Sequence, residues 1–396
     1  MSDADRIPVI LDARRTPVGR FMGGLSNVPA PRLGSYVIDA LLNDYPATKD
    51  HIEECIIGCV LQAGLGQNPA RQAGLGAGLP ETLSAQTVNK VCGSGLQAVM
   101  TAARTIKAGD NGVVIAGGIE NMTRAPHLAN VRGGVKFGSS ELIDHMAYDG
   151  LRCAFEDCMM GNSADYIASK YEISRSDQDA YAARSHQLAA EATREGHFKD
   201  EIFPLTKDQC FQRKGDGVSA DEGIRPETNT HALAKLRPAF AKDGTVTAGN
   251  ASQISDGAAA TLVASLSMAE RLGIQPMAKI VAYHTSGVAP KEIFTAPAKV
   301  IPAVLEKAGL TIDDIDLFEI NEAFAVQVLQ NVRETGVPME KVNICGGAIA
   351  IGHPIGCSGT RALATLLHQM RRIDARRGLV ALCLGGGNAV GLVLER

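Results

Sequence analysis

The sequence predicts an α/β protein built twice from one unit, and three observations carry that prediction. Short apolar runs that end in glycines alternate with amphipathic stretches at helical spacing, the pattern of strands and helices stacked in parallel layers. Cys92-Gly93-Ser94-Gly95, a helix and Val113-Val114-Ile115-Ala116-Gly117-Gly118 recur as Gly356-Cys357-Ser358-Gly359, a helix carrying Leu363, Leu366, Leu367 and Met370, and Leu379-Val380-Ala381-Leu382-Cys383-Leu384-Gly385-Gly386-Gly387. That is the trace an internal duplication leaves. With 396 residues, 45% hydrophobic and 21% charged, the chain exceeds one ordinary core and suits roughly two or three well-buried domains.

Taken in order, residues 6–11 read as a buried first strand and residues 31–42 as the helix after it. Residues 55–64 form an apolar run ending in Gly64-Leu65-Gly66-Gln67-Asn68-Pro69, followed by a helix over 70–77. Gly74, Gly76 and Gly78 do not fit the dinucleotide fingerprint G-x-G-x-x-G and read as packing contacts. From 123 to 251 the apolar strands thin out, leaving charged stretches, a helix over 176–196 and turn-rich pieces such as Arg213-Lys214-Gly215-Asp216-Gly217. The resulting division is an N-terminal half at 1–122 completed by about 252–275, an insertion at 123–251 lying over the core, and a C-terminal half at 276–396.

A net charge of -4, with no basic run, gives no electrostatic case for nucleic acid. No apolar stretch reaches the length of a membrane span, and the acidic start Met1-Ser2-Asp3-Ala4-Asp5-Arg6 is unlike a signal peptide. Leu394-Glu395-Arg396 is not a peroxisomal tripeptide. Nine scattered cysteines lack both extracellular pairing and zinc-like spacing, so a reduced, cytoplasmic setting without a metal site is expected.

Cys92 is the candidate nucleophile. It precedes a helix on which Leu96, Val99, Met100, Ala103 and Ile106 recur at helical spacing. Unpaired N–H groups and the dipole at a helix start favour a thiolate, lowering its pKa from roughly 8.5, and the neighbouring glycines would let a substrate come close. A buried structural cysteine in a tight turn is the competing reading. His353, in Gly352-His353-Pro354-Ile355-Gly356, suits a base, with an ordinary pKa of roughly 6.5. Cys383 ends a strand before three glycines, where it faces a cleft between the halves or fills the core. Asn321, after Asp316-Leu317-Phe318-Glu319-Ile320, can hold a water, serve an oxyanion or cap a helix.

These blocks, with Gly118-Ile119-Glu120-Asn121-Met122, Ala248-Gly249-Asn250-Ala251-Ser252, Asn321-Glu322-Ala323-Phe324 and Gly346-Gly347-Ala348-Ile349-Ala350-Ile351-Gly352-His353-Pro354, resemble the signature blocks of the thiolases, the acetyl-CoA acyltransferases. They occur in the family's order along the whole chain. The resemblance implies a duplicated five-layer α-β-α-β-α fold with a loop domain covering coenzyme A. It implies that Cys92 carries the acyl group, that His353 is the base and that Cys383 is the acid/base at C2. It further implies a water on Asn321 that forms one oxyanion hole with His353, and a second hole from the N–H groups of Cys92 and Gly385. Coenzyme A enters as substrate and product, with no permanently bound cofactor. Arg225 would lie near its adenine end and Ser252 on its pantetheine arm, with Leu151, Met160, Phe240, Ala248 and Phe324 along the tunnel; at Arg225 a solvated charge competes with that role. A homodimer or homotetramer is implied as well. Three departures bear on the acyl group: Met159-Met160-Gly161 where short-chain members often have His-Met-Gly, Ile293-Phe294 where Met-Gly is common, and Asn388 where methionine is common. Two rivals remain: a ketoacyl synthase, expected to have His or Asn where this chain has Cys383, and a non-catalytic acyl-CoA or lipid-binding relative.

Overall fold

The computed structural model describes residues 3–396. Nine strands form the main path of one mixed sheet: β1 (Pro8–Arg15), β2 (Ile52–Gly58), β3 (Ser84–Val88), β4 (Val113–Asn121), β5 (Ser255–Ser265), β6 (Ala278–Gly287), β7 (Leu317–Ile320), β8 (Arg377–Leu384) and β9 (Asn388–Glu395). Gly19–Arg20 pairs onto β5 as a tenth. The longer helices are α1 (Ala30–Asp44), α2 (Pro69–Gly76), α3 (Ser94–Ala108), α4 (Met160–Lys170), α5 (Arg175–Arg194), α6 (Ala296–Ala308), α7 (Ala325–Thr335) and α8 (Ser358–Arg372).

The duplication is visible in the strand order. The first half runs β3-β2-β4-β5-β1, and the second runs β7-β8-β9-β6 with Val342 adding a parallel bridge to Phe318 outside β7. Each half therefore repeats the same sequence of pairings. The parallel layers expected from the sequence hold for β3, β2 and β4 and for β7 with β8. The other pairings are antiparallel: β5 with both β4 and β1, and β9 with both β8 and β6. The cause in the second half is local, because β8 and β9 are joined by the short turn Gly385-Gly386-Gly387, and so tight a connection can only make a hairpin.

The halves meet edge to edge through two residue pairs, Val9 with Lys279 and Ile10 with Ala278. They face one another across α3 and α8, which pack together and lie against strands of both halves. Helices α1 and α2 cover the outer face of the first half, and α6 and α7 that of the second, giving five layers. Alternation along β1 shows how one strand serves two layers: Val9 and Leu11 join the outer core and Ile10 the central one, and a register shift between Ile10 and Asp12 lets Ala13 face the central side as well.

The apolar run expected as a strand through residue 64 leaves the ladder after Gly58. Val60 and Leu61 give their N–H groups to the Glu120 carboxylate instead of a neighbouring strand. Between β4 and β5 lie α4, α5 and two small ladders, His127–Leu128 with Ile143–Asp144 and Arg152–Cys153 with Cys158–Met159. Among the described residues no helix is long and apolar enough to cross a membrane, and no group of three or more His, Cys, Asp or Glu could hold a metal ion. All nine cysteines are free.

Candidate active site

The turn before α3 presents Cys92 on a strained backbone. Val91, a β-branched residue, has φ of 47°, a conformation that costs about 1–3 kcal/mol unless its surroundings enforce it. Here they do: Asn89 Oδ1 accepts from the Val91 N–H at 3.1 Å, and Ser94 Oγ accepts from the Lys90 N–H at 2.8 Å while donating to the Val91 carbonyl at 2.6 Å. The neighbouring glycines do not open a path to the sulfur, as the sequence suggested. They let the halves touch: a Cβ on Gly93 would meet Leu384 at 2.2 Å, and one on Gly95 would meet Thr360 Oγ1 at 2.7 Å and the Gly356 carbonyl at 3.0 Å.

The expected lowering of the Cys92 pKa is reversed. Burial pushes the thiol up to about 12, and the N–H groups of Cys92 itself and of Gly385, which both point at the sulfur, offset only part of that. Cys92 lies before the first helical residue, Ser94, and packs against the apolar cluster of Val60, Leu61, Met122 and Ile355. At rest Cys92 is therefore a thiol, and a sulfur nucleophile at this position would need a base to deprotonate it.

The His353 imidazole is held in one tautomer. Ser358 Oγ donates to the Pro354 carbonyl at 2.9 Å, so at 2.6 Å from His353 Nδ1 it acts as acceptor, which puts the ring proton on Nδ1. Nε2, buried and without a hydrogen-bond partner among the described residues, keeps its lone pair. Burial, then the nearby Arg361 cation, lowers the imidazole to about 3, so it is neutral at working pH. Both amide atoms of Asn321 are likewise buried and unpartnered among the described residues. Asn321 does not cap a helix: α7 begins at Ala325, and its capping position is Phe324. Cys383, at the end of β8, has its thiol raised by burial and then by proximity to Cys92.

One cavity of about 640 Å³ collects these groups. Cys92, His353, Cys383 and Gly385 line it, whereas Asn321, buried directly after β7, is not among the lining residues. Every residue expected along the coenzyme tunnel lines it too: Leu151, Met160, Phe240, Ala248, Phe324, Ser252 and the exposed Arg225. Phe324 is the hinge of an aromatic wall, edge-on to Phe294 at 5.1 Å and to Phe240 at 6.3 Å. A bridge between Ala251 and Phe324, with the Ser252 N–H donating to the Ala323 carbonyl at 3.0 Å, binds the two walls together.

Two family models cover almost the whole chain: "Thiolase, N-terminal domain" matches residues 8–267 and "Thiolase, C-terminal domain" residues 274–396. The chain belongs to the thiolase family. It is 50% identical over 390 residues to the acetyl-CoA acetyltransferase of Chromobacterium violaceum, covering 98% of this chain and 99% of that one. The protein of that name from Pseudomonas aeruginosa is 49% identical over 391 residues, again 98% and 99% of the two chains. The crystal structure of the Bacillus anthracis acetyl-CoA acetyltransferase superposes with a TM-score of 0.95 at 40% identity, covering 98% of each chain.

In this thiolase the departures divide. Met159, Ile293 and Phe294 line the cavity, whereas Asn388 starts β9 opposite Leu384 and Gly287, is exposed and takes no part in the lining. Sequence reasoning missed Gln253, whose amide donates to the Gly223, Ile349 and Ala350 carbonyls at 2.8–3.0 Å and whose carbonyl accepts from the His353 N–H at 3.0 Å. Its place directly after the block ending at Ser252 was the available signal. Arg20, Phe21 and Glu222 at the cavity wall were also missed, and no periodicity or motif marks them.

Proposed function

We propose that this thiolase is an acetyl-CoA C-acyltransferase that reversibly cleaves 3-oxoacyl-CoA with CoA, giving acetyl-CoA and a shortened acyl-CoA. The observation that carries the reading is the convergence of two thiols and a neutral imidazole with a free Nε2 on one cavity. Thiolytic cleavage needs attack at C3 and protonation at C2, on opposite sides of the breaking bond, so one residue cannot do both. Cys92 gives its proton to His353 as Sγ bonds C3; the C2–C3 bond breaks, Cys383 passes its proton to C2, and acetyl-CoA leaves. The proton on His353 returns to Cys383. His353 then takes the thiol proton of the incoming CoA, whose sulfur attacks acyl-Cys92, and hands it to the departing Cys92 sulfur. The N–H groups of Cys92 and Gly385 form one oxyanion hole, and Asn321, through a water, forms the other with His353. In reverse the same groups carry out a Claisen condensation, with Cys383 taking the proton.

In this reading the segment 123–251 covers coenzyme A between the halves at 1–122 (completed by about 252–275) and 276–396, with Arg225 at the adenine end and Ser252 on the pantetheine arm. The partners are acyl-CoA and CoA in a cytoplasmic setting, and the assembly is a homodimer or homotetramer. Two exposed features support assembly: the edge strand β3, and the hairpin loop that displays Val131, Phe137 and Leu142. Cys383 speaks against a ketoacyl synthase, and the intact set of Cys92, His353, Asn321 and Cys383 against a binding protein. The test follows the loss of acetoacetyl-CoA, and of longer and 2-methyl-branched 3-oxoacyl-CoAs, when CoA is added. CoA-dependent cleavage with ping-pong kinetics is expected, and cleavage of none of them would refute the assignment.

A further inference from the structure

The block Gly118-Ile119-Glu120-Asn121-Met122 has no part in the chemistry above, yet its glutamate is fully buried beside the reacting groups. Glu120 sits near the end of β4, in the first half, and its carboxylate gathers donors from both halves. Oε2 accepts from the Gly356 N–H at 2.9 Å and the Val60 N–H at 3.1 Å; Oε1 accepts from the Leu61 N–H at 3.1 Å and faces the Cys59 thiol at 3.8 Å. Gly356 lies three residues after His353 on the same loop. The fit is close enough to dictate the glycine, since a Cβ there would lie 2.7 Å from the Ile119 carbonyl and 2.8 Å from Glu120 Oε2. The other two anchored residues, Val60 and Leu61, form with Ile355 and Met122 the apolar cluster against which Cys92 packs.

We infer that Glu120 is a positioning residue for the reaction: it ties the His353 loop of the second half to the segment of the first half that backs Cys92, and so fixes base against nucleophile. At its far end the same loop is held by the second half's own carboxylate, Glu322, which accepts from the Ile349 N–H at 3.0 Å. His353 thus rides on a span fastened to a buried carboxylate at each end, one from each half. Burial raises the Glu120 pKa to about 7, and the N–H groups of Leu61, Gly356 and Val60 pull it back toward the ionised form, which offers only acceptors to them; the amide of glutamine would have to turn its NH₂ against at least one.

The inference rests on His353 being the base, and the test separates the two claims. It uses the full-length protein, well below its thermal midpoint, and reads thiolysis of acetoacetyl-CoA, the rate of Cys92 alkylation by iodoacetamide, and the Kd for CoA. Displacing a catalytic group by 1 Å can cost on the order of 10²-fold. Glu120→Gln is therefore expected to lose about 10²-fold in thiolysis and to slow alkylation, with the Kd for CoA unchanged. In a double-mutant cycle this loss should vanish on a His353→Ala background, since the group being positioned is gone. Losses that multiply in the double variant, or native activity in Glu120→Gln, would overturn the positioning role. Native activity in His353→Ala would instead overturn the reading on which it rests. Should Glu120→Gln fail to fold, Glu120→Asp, which keeps the charge but withdraws it by one carbon, gives the same readout and must show the same dependence on His353.

Discussion

Replacing Asn321 by alanine should separate activity from stability. The Asn321 backbone is fixed independently of its side chain, since its N–H donates to the Ala381 carbonyl at 2.9 Å. The side-chain amide is buried, at 1% exposure, and neither of its polar atoms has a hydrogen-bond partner among the described residues. Its removal therefore breaks no protein–protein hydrogen bond and leaves the end of β7 in place. Folding stability should change by no more than about 1 kcal/mol, a shift of about 3 °C or less in the thermal midpoint for a chain of this size. The reaction should suffer far more. Loss of one oxyanion donor costs on the order of 10²–10³ in kcat, about 2.7–4 kcal/mol. Thiolysis of acetoacetyl-CoA and a thermal scan, run on the same preparation, test both halves of the claim. Asn321→Asp should be worse than Asn321→Ala, because it sets a negative charge beside the developing oxyanion. A rate within about threefold of native, or a midpoint lowered by about 10 °C with full activity recovered at lower temperature, would refute the reasoning.

Cys92→Ala should abolish covalent acylation, seen as loss of the acyl mass on the intact protein. Cys383→Ala should still exchange acyl groups between Cys92 and CoA while carbon–carbon cleavage stops; equal loss of both partial reactions would contradict the division of labour. His353, held at about 3 against an unfolded value of roughly 6.5, makes the unfolded chain the better proton binder in acid. As pH falls below about 6.5, this group removes about 1.4 kcal/mol of stability per unit, so His353→Gln should lose less stability than the native protein between pH 7 and pH 4.5. Parallel losses in thermal scans at the two pH values would count against this. Gly387→Ala should destabilise by about 2 kcal/mol or more, since φ there is 88° and a Cβ would lie 2.5 Å from the Val288 carbonyl. Activity should fall with it, because the same turn aims the Gly385 N–H at Cys92; unchanged thiolysis would speak against that placement.

Much of the fold was legible because the duplicated unit announces itself in order and spacing. Cys92, His353 and Cys383 were legible because each stands at a glycine-marked junction, and the fold brings those junctions to one cavity. What escaped depends on pairing or on surroundings. The antiparallel course of β5 cannot be read from its apolar run, because Ala258 and Val263 would look the same in either direction. The Cys92 thiol was misjudged because a helix start is local and visible in sequence, whereas burial by Val60, Leu61 and Ile355 comes from distant segments. Val91 gave no sign of strain, since a valine is the last residue expected at a positive φ. Glu120 and Glu322 stand in the blocks without a role of their own, because the backbone donors that reach their carboxylates come from distant segments.

The order of strands in the first half has a consequence for synthesis on the ribosome. β5 separates β4 from β1, yet it is encoded after the whole insertion: Asn121 pairs with Asp256, and Pro8 with Ser265. The nascent chain must hold β1 and β4 apart, with their apolar faces uncovered, until Ser255–Ser265 has emerged. Closure then spans a long intervening segment, and such non-local pairing is slow and exposes sticky surface meanwhile. The first half thus cannot close until the insertion and Ser255–Ser265 have been made, and until then its unfinished sheet is where a chaperone would be needed during translation.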